Sequence, residues 1–143
     1  MAYRPYLFFG GNCREAFTRY KEIFGGDLTL LSMKDVPVAE GEQAPPPEMA
    51  DVIIHAALKV GDELLMASDD PEAGDSFGPV QGMMVSYDAA DDDDAKRVFE
   101  ALADGGNVTQ ALQPTFFSSA FGMCVDRFGT PWMIVAPDPN QPS

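Results

Sequence analysis

The chain has 143 residues, 45% of them hydrophobic, a length and composition suited to one globular domain with a sizeable core. A formal net charge of −14 repels phosphate, so neither nucleic acid nor an anionic membrane surface is an expected partner. Two cysteines, Cys13 and Cys124, cannot build a disulfide framework, and without a Cys-x-x-Cys pair they do not suggest structural zinc.

In chain order, Tyr3 to Phe9 is aromatic and apolar and stops at Gly10-Gly11, which predicts a strand. Asn12 with Glu15 three positions on resembles a helix cap pair. Ala16, Phe17, Tyr20, Ile23 and Phe24 follow at helical spacing, and Gly25-Gly26 closes that helix. Asp27 to Met33 reads as a strand. Asp35 to Ala50, with Pro37, Pro45, Pro46 and Pro47, reads as a loop. Val52 to Val60 and Glu63 to Ala67 form a hairpin around Gly61-Asp62. Ser68 to Pro79 is a second loop and the natural linker between halves. The same order then repeats: strand Gln81 to Tyr87, helix Asp91 to Ala103, the stop Gly105-Gly106 and strand Val108 to Leu112. Strands Phe116 to Val125 and Pro131 to Val135 follow around Arg127-Phe128-Gly129-Thr130, and the chain ends in a frayed tail from Pro137.

Two echoes support a duplication. Phe24-Gly25-Gly26-Asp27-Leu28-Thr29 matches Asp104-Gly105-Gly106-Asn107-Val108-Thr109 at an offset of about 80 residues. Gly61 to Met66 matches Gly129 to Ile134 at an offset of about 68. The expected fold is α+β, with two βαβββ modules forming a cupped mixed sheet and helices on its outer face. Module one spans about 1–68 and module two about 80–136, and the concave side is the natural place for a small molecule.

No apolar run approaches the roughly 20 residues that cross a bilayer. Met1 to Pro5 lacks the layout of a signal peptide, so the cytoplasm is the expected location. No Gly-x-Gly-x-x-Gly, Walker or Gly-x-Ser-x-Gly motif is present, which leaves nucleotide-cofactor and hydrolase readings without support, and no cofactor is expected.

His55 is the single histidine and falls mid-strand between apolar residues. It is the candidate general acid/base or ligand hydrogen-bonder, against the alternative of a buried ring satisfied by a carbonyl or carboxylate. Tyr6, Phe8, Phe116, Phe121 and Trp132 are strand aromatics and, with His55, the candidate ligand-binding residues. Period-two alternation separates the two faces of a strand without saying which one faces the ligand. Cys13 begins a helix, where the dipole favours thiolate, but neither a base nor a substrate accompanies it in the sequence. Cys124 reads as core, and Asp91 to Asp94 as carboxylates opposing a helix dipole rather than a metal cluster.

Taken together, several motifs resemble the vicinal-oxygen-chelate superfamily of glyoxalase I, bleomycin-resistance proteins and extradiol dioxygenases, and within it the PhnB-like branch. They are Pro5 to Phe9, Gly11-Asn12-Cys13-x-Glu15-Ala16-Phe17 with Tyr20, Phe24-Gly25-Gly26, and His55-Ala56-x-Leu58 with Gly61-Asp62. Leu65-Met66-x-Ser68-Asp69, Thr115-Phe116-Phe117, Phe121-Gly122 and Asp126-Arg127-Phe128-Gly129-x-Pro131 to Ile134 complete the set. The resemblance runs nearly end to end. It implies strand positions that hold a divalent metal in metal-dependent members, and these fall near Pro5, Leu65 or Met66, Gly82 and Met133. None supplies a nitrogen or carboxylate oxygen, so no metal is expected at those positions. It also implies a structural role for the Asp126 to Gly129 turn and a homodimer, with the long loop permitting exchange of modules. The expected function is binding of a small apolar or aromatic molecule. The alternatives are a lyase, isomerase or dioxygenase using His55 or an unconventional metal site, and a purely structural dimer partner.

Overall fold

The structure, a computed structural model, describes residues 3–38, 40–43, 46–70 and 80–138. Two units, Met1–Phe77 and Gly78–Ser143, each hold one helix and four strands. Unit one runs β1 (Tyr6–Phe9), α1 (Cys13–Phe24), β2 (Asp27–Ser32), β3 (Ile53–Val60) and β4 (Glu63–Asp69). Unit two runs β5 (Val85–Asp88), α2 (Asp92–Ala103), β6 (Asn107–Gln113), β7 (Phe121–Val125) and β8 (Pro131–Val135). The sheet orders, β1-β4-β3-β2 and β5-β8-β7-β6, are the same. In each sheet the first strand pairs parallel with the last and the other pairs are antiparallel. The α+β class and the βαβββ order expected from the sequence are both present, as two four-stranded mixed sheets.

In unit one, α1 turns Cys13, Ala16, Phe17, Tyr20 and Ile23 onto the sheet. There they bury Leu7, Phe9, Ala56, Leu58 and Ala67, with Phe9 and Phe17 packed edge to face at 6.1 Å. Each such large side chain removed from water contributes about 1.5–3 kcal/mol, which is why one helix suffices to hold one sheet face. In unit two, Ala95, Val98, Phe99 and Leu102 of α2 play this part. Gly122 lies directly beneath the Phe99 ring, so its side of β7, with Cys124, is the face that α2 covers.

Several boundaries differ from the sequence reading. The first strand starts at Tyr6 rather than Tyr3, and the fifth at Val85 rather than Gln81. Phe116 to Ala120 is not strand. Ser118 turns its hydroxyl to the carbonyls of Ala120 and Ala136, and Ser119 bonds Asp92 and the Pro137 carbonyl, drawing the segment into a bend. A short 3-10 turn at Met33–Asp35, which takes Met33 out of the expected strand, leads into the Pro-rich stretch, and a second lies at Pro47–Met49. Residues 71–79 of the expected linker, and the tail from 139, lie outside the described residues.

The duplication is visible in the register. Asp27 faces Lys59 and Asn107 faces Val125. Counting inward along the hairpins, Ala57 faces Met66 and Met123 faces Met133. Structural equivalence therefore pairs Met66 with Met133, one residue off the pairing that the sequence echo gives. The cause is the turn: four residues separate the paired Lys59 and Leu64, but five separate Val125 and Pro131.

Candidate functional site

Alternation and register assign each side chain of unit one to a face. Tyr6 faces Met66 across β1 and β4, Met66 faces Ala57, and Phe8 faces Ser68. His55 faces Leu31. These residues all point away from α1. Tyr6 is 38% exposed and Phe8 54%, while their neighbours Leu7 and Phe9 are buried beneath the helix. The Tyr6 ring lies 5.3 Å from that of Phe8 and 6.2 Å from the His55 imidazole. Three of the sequence candidates thus form one aromatic patch, bordered by Leu31, Ala57 and Met66.

His55 is the last residue of β3 in regular register with β2 before a bulge. Leu31 faces His55 but Ser32 faces Ile53, which leaves Ile54 as the extra residue. The imidazole is half-buried, and no described residue hydrogen-bonds to it. A ring with both nitrogens available to a bound molecule can donate at one and accept at the other. The alternative of a ring satisfied by a carbonyl or carboxylate finds no such partner among the described residues.

In unit two the other aromatic candidates separate. Phe121 lies on the face opposite α2 and is covered by Phe117 at 5.0 Å, which in turn packs against Phe116. Phe116 is 94% exposed. Trp132 faces Cys124 on the α2 side, is 2% exposed, and donates its Nε1–H to Asp126 at 2.9 Å. Its ring is part of the core under α2. Asp126 also accepts the backbone N–H groups of Phe128 and Thr130, so this turn is shaped by one buried carboxylate.

The cysteines are not thiolates. Burial, with the Asp69 carboxylate nearby, pushes the Cys13 thiol up to about 12, overriding the helix-start effect expected from the sequence. Burial and Asp126 push Cys124 up to about 11. Asn12 makes no capping bond through its side chain. That role belongs to Asp69, at the end of β4, whose Oδ1 accepts from Gly11 and Cys13 N–H at 3.2 and 2.9 Å. Sequence reasoning missed Asp69 because a cap supplied from a strand 56 residues away leaves no local pattern. On α2, Asp91 caps the Asp94 N–H at 2.8 Å. Burial tends to raise Asp94, but bonds from Tyr87, Ala90 and Arg97 hold it below the usual carboxylate range.

A divalent ion does not fit the residues at the positions that the sequence resemblance assigns to one. Pro5 and Leu65 or Met66 in unit one, and Gly82 and Met133 in unit two, carry no side-chain nitrogen or oxygen. Among the described residues, no three His, Cys, Asp or Glu side chains gather as a metal site. No described helix is long and apolar enough to cross a membrane.

The family model described as 3-demethylubiquinone-9 3-methyltransferase matches residues 2–135. Protein YjdN of Escherichia coli (strain K12) is 32% identical over 141 residues, 94% of each chain. Protein PA1353 from Pseudomonas aeruginosa is 41% identical, with a TM-score of 0.79 over 96% of this chain and 98% of that one. A PhnB protein from Bacillus cereus shares the fold at 20% identity, with a TM-score of 0.72 over 95% and 99% of the two chains. Further structures that share the fold alone include glyoxalase/bleomycin-resistance and fosfomycin-resistance proteins. The methyltransferase description meets no matching architecture, since neither four-stranded sheet is the doubly wound parallel sheet that usually holds a methyl donor. The chain belongs to the family that this model describes, and it shares its fold with glyoxalase and bleomycin-resistance proteins.

Proposed function

We propose that the chain binds a small planar aromatic molecule on the face of the first sheet that points away from α1, without a metal ion. Tyr6 and Phe8 supply ring contacts, Met66 and Leu31 an adaptable apolar border, and His55 a hydrogen bond. The observation that carries this reading is the patch itself: two partly exposed aromatic rings beside an imidazole to which no described residue bonds. Buried polar groups are ordinarily paired, so a half-buried imidazole left open among apolar neighbours suits a ligand. Phe121 and Trp132 are not included, because Phe117 covers the first and α2 the second.

The test is a titration with 2-naphthol, a planar aromatic with one hydroxyl, followed by the ring resonances of His55 and Tyr6 and the methyl resonance of Met66. All three are expected to move together, and Phe8→Ala to weaken binding. No perturbation by 2-naphthol or related phenols would refute the proposal. Metal analysis of the purified protein tests the metal-free part, and a stoichiometric divalent ion would overturn it. The same open imidazole favours a second reading, an enzyme with His55 as acid/base. Once a turnover is found, equal rates for wild type and His55→Gln would exclude it.

A further inference from the structure

Asp69 is 8% exposed and lies on β4, away from the aromatic patch. Its two oxygens serve three backbone donors on two other segments. Oδ1 accepts from Gly11 and Cys13, in the turn that follows β1, and Oδ2 accepts from Ile53 at 3.0 Å, at the start of β3. The first segment leads directly from the strand carrying Tyr6 and Phe8. The second begins the strand carrying His55, and Ile53 is the residue just before the bulge.

The ladder between β3 and β4 runs from Val60–Glu63 to Ala56–Ala67 and stops short of Ile53. On the other side of β3, the Val52 carbonyl already pairs with the Met33 N–H. The Ile53 N–H therefore finds its acceptor in a side chain where a main-chain carbonyl would otherwise stand. The pairs of Leu31 with His55 and of Ala56 with Ala67 set the face of His55, and the bulge at Ile54 separates it from Ile53. Asp69 thus ties the entry to β3, two residues before His55, to the turn that follows the strand of Tyr6 and Phe8. We infer that Asp69 is the positioning residue of the proposed site, its carboxylate fixing His55 on β3 against Tyr6 and Phe8 on β1. This rests on the proposed binding face for its functional meaning, but the geometry can be tested without a ligand.

Asp126 provides the control. It too is a buried carboxylate that accepts N–H groups, and those of Phe128, Thr130 and Trp132 lie in unit two. A merely structural role for Asp69 would make Asp69→Asn and Asp126→Asn alike. The asparagine at 69 keeps one acceptor for the α1 turn and turns an amide NH2 toward the Ile53 N–H. The readouts are the single histidine ring resonance and the NOE between the His55 and Tyr6 rings. Asp69→Asn is expected to shift the resonance, abolish the NOE and weaken 2-naphthol binding about tenfold. Asp126→Asn is expected to leave all three as in wild type, although it unfolds at lower urea.

Unchanged ring signals in Asp69→Asn, or equal changes in both variants, would overturn the inference. Should Asp69→Asn fail to fold, the wild-type protein decides through the scalar coupling across the hydrogen bond between the Ile53 amide nitrogen and Asp69 Cγ. Its presence is expected, and its absence overturns the inference. If wild type does not bind 2-naphthol at all, the binding proposal fails, but the ring signals still decide the role of Asp69.

Discussion

Gly26 and Gly106 occupy equivalent places after the two helices, and replacing each with alanine separates two physical costs. A Cβ on Gly26 would lie 2.2 Å from the Lys59 carbonyl oxygen and 2.9 Å from Val60 Cγ2. A Cβ on Gly106 would lie 2.2 Å from the Val125 carbonyl oxygen. In both cases the first strand of the final hairpin has to move away, and overpacking of this kind costs about 1–3 kcal/mol. Gly26 also has φ +87, while Gly106 lies outside the left-handed region. Alanine at Gly26 therefore adds left-handed strain of about 1–2 kcal/mol. Loss of unfolded-state freedom returns about 0.4–1 kcal/mol in each variant. The net destabilisation is about 1–4.6 kcal/mol for Gly26→Ala and about 0–2.6 kcal/mol for Gly106→Ala. With an m-value of about 2 kcal/mol/M, a 3 kcal/mol loss lowers the urea midpoint by about 1.5 M. Circular dichroism at equilibrium measures it, with Trp132 fluorescence reporting unit two. A Gly26→Ala midpoint no lower than that of Gly106→Ala would refute the strain argument. A midpoint for Gly106→Ala above that of wild type would refute the close approach.

Two further outcomes follow from the buried groups. Trp132→Phe removes the indole N–H from the Asp126 carboxylate, a bond to a charged group worth about 1.5–3 kcal/mol. Its 2-naphthol affinity should match wild type, and a clear loss would place Trp132 in the binding face after all. For the thiols, an ordinary cysteine ionises near 9.0, but in the folded chain Cys124 holds its proton to about 11 and Cys13 to about 12. Their contribution is full below pH 9 and is lost as the pH rises through the folded values, because only the unfolded chain releases these protons first. Each thiol gives a slope of up to about 1.4 kcal/mol per pH unit. Urea midpoints at increasing alkaline pH should fall less steeply in Cys13→Ala/Cys124→Ala, and equal slopes would refute the assignment.

The element order was legible because it rests on local signals. Helical spacing of Phe17, Tyr20 and Ile23, the Gly61-Asp62 turn between two apolar runs, and glycine stops all act within a few residues. What escaped the sequence depends on partners far along the chain. Asn12 looked like the cap of α1, yet Asp69 provides it from the far edge of β4. Phe116 and Phe117 looked like strand, but the Ser118 and Ser119 hydroxyls bend that segment by reaching Ala136, Asp92 and Pro137. Trp132 shared an aromatic character with Tyr6 and Phe8, and only the register with Cys124 reveals that it faces the helix. Alternation alone leaves both faces of a strand equivalent until a helix covers one of them.

The duplicated register sets different side chains at equivalent places on the two sheet faces that no helix covers. Lys59 and Val125 hold the same place opposite the start of β2 and β6, so counting back four residues from each brings His55 onto Phe121. Met66 and Met133 are likewise equivalent, which brings Tyr6 onto Ser86 and Phe8 onto Asp88. Where unit one offers two partly exposed rings and an imidazole, unit two offers a hydroxyl, a carboxylate and a phenylalanine already packed under Phe117. Core positions tell the opposite story, since Leu7 and Tyr87, or Ala67 and Ile134, remain interchangeable apolar or aromatic fillers beneath a helix. Packing tolerates such swaps as long as volume and face are kept. The change of chemical type at the places of Tyr6, Phe8 and His55 lies on the face that no helix covers, the face to which the proposed binding is assigned.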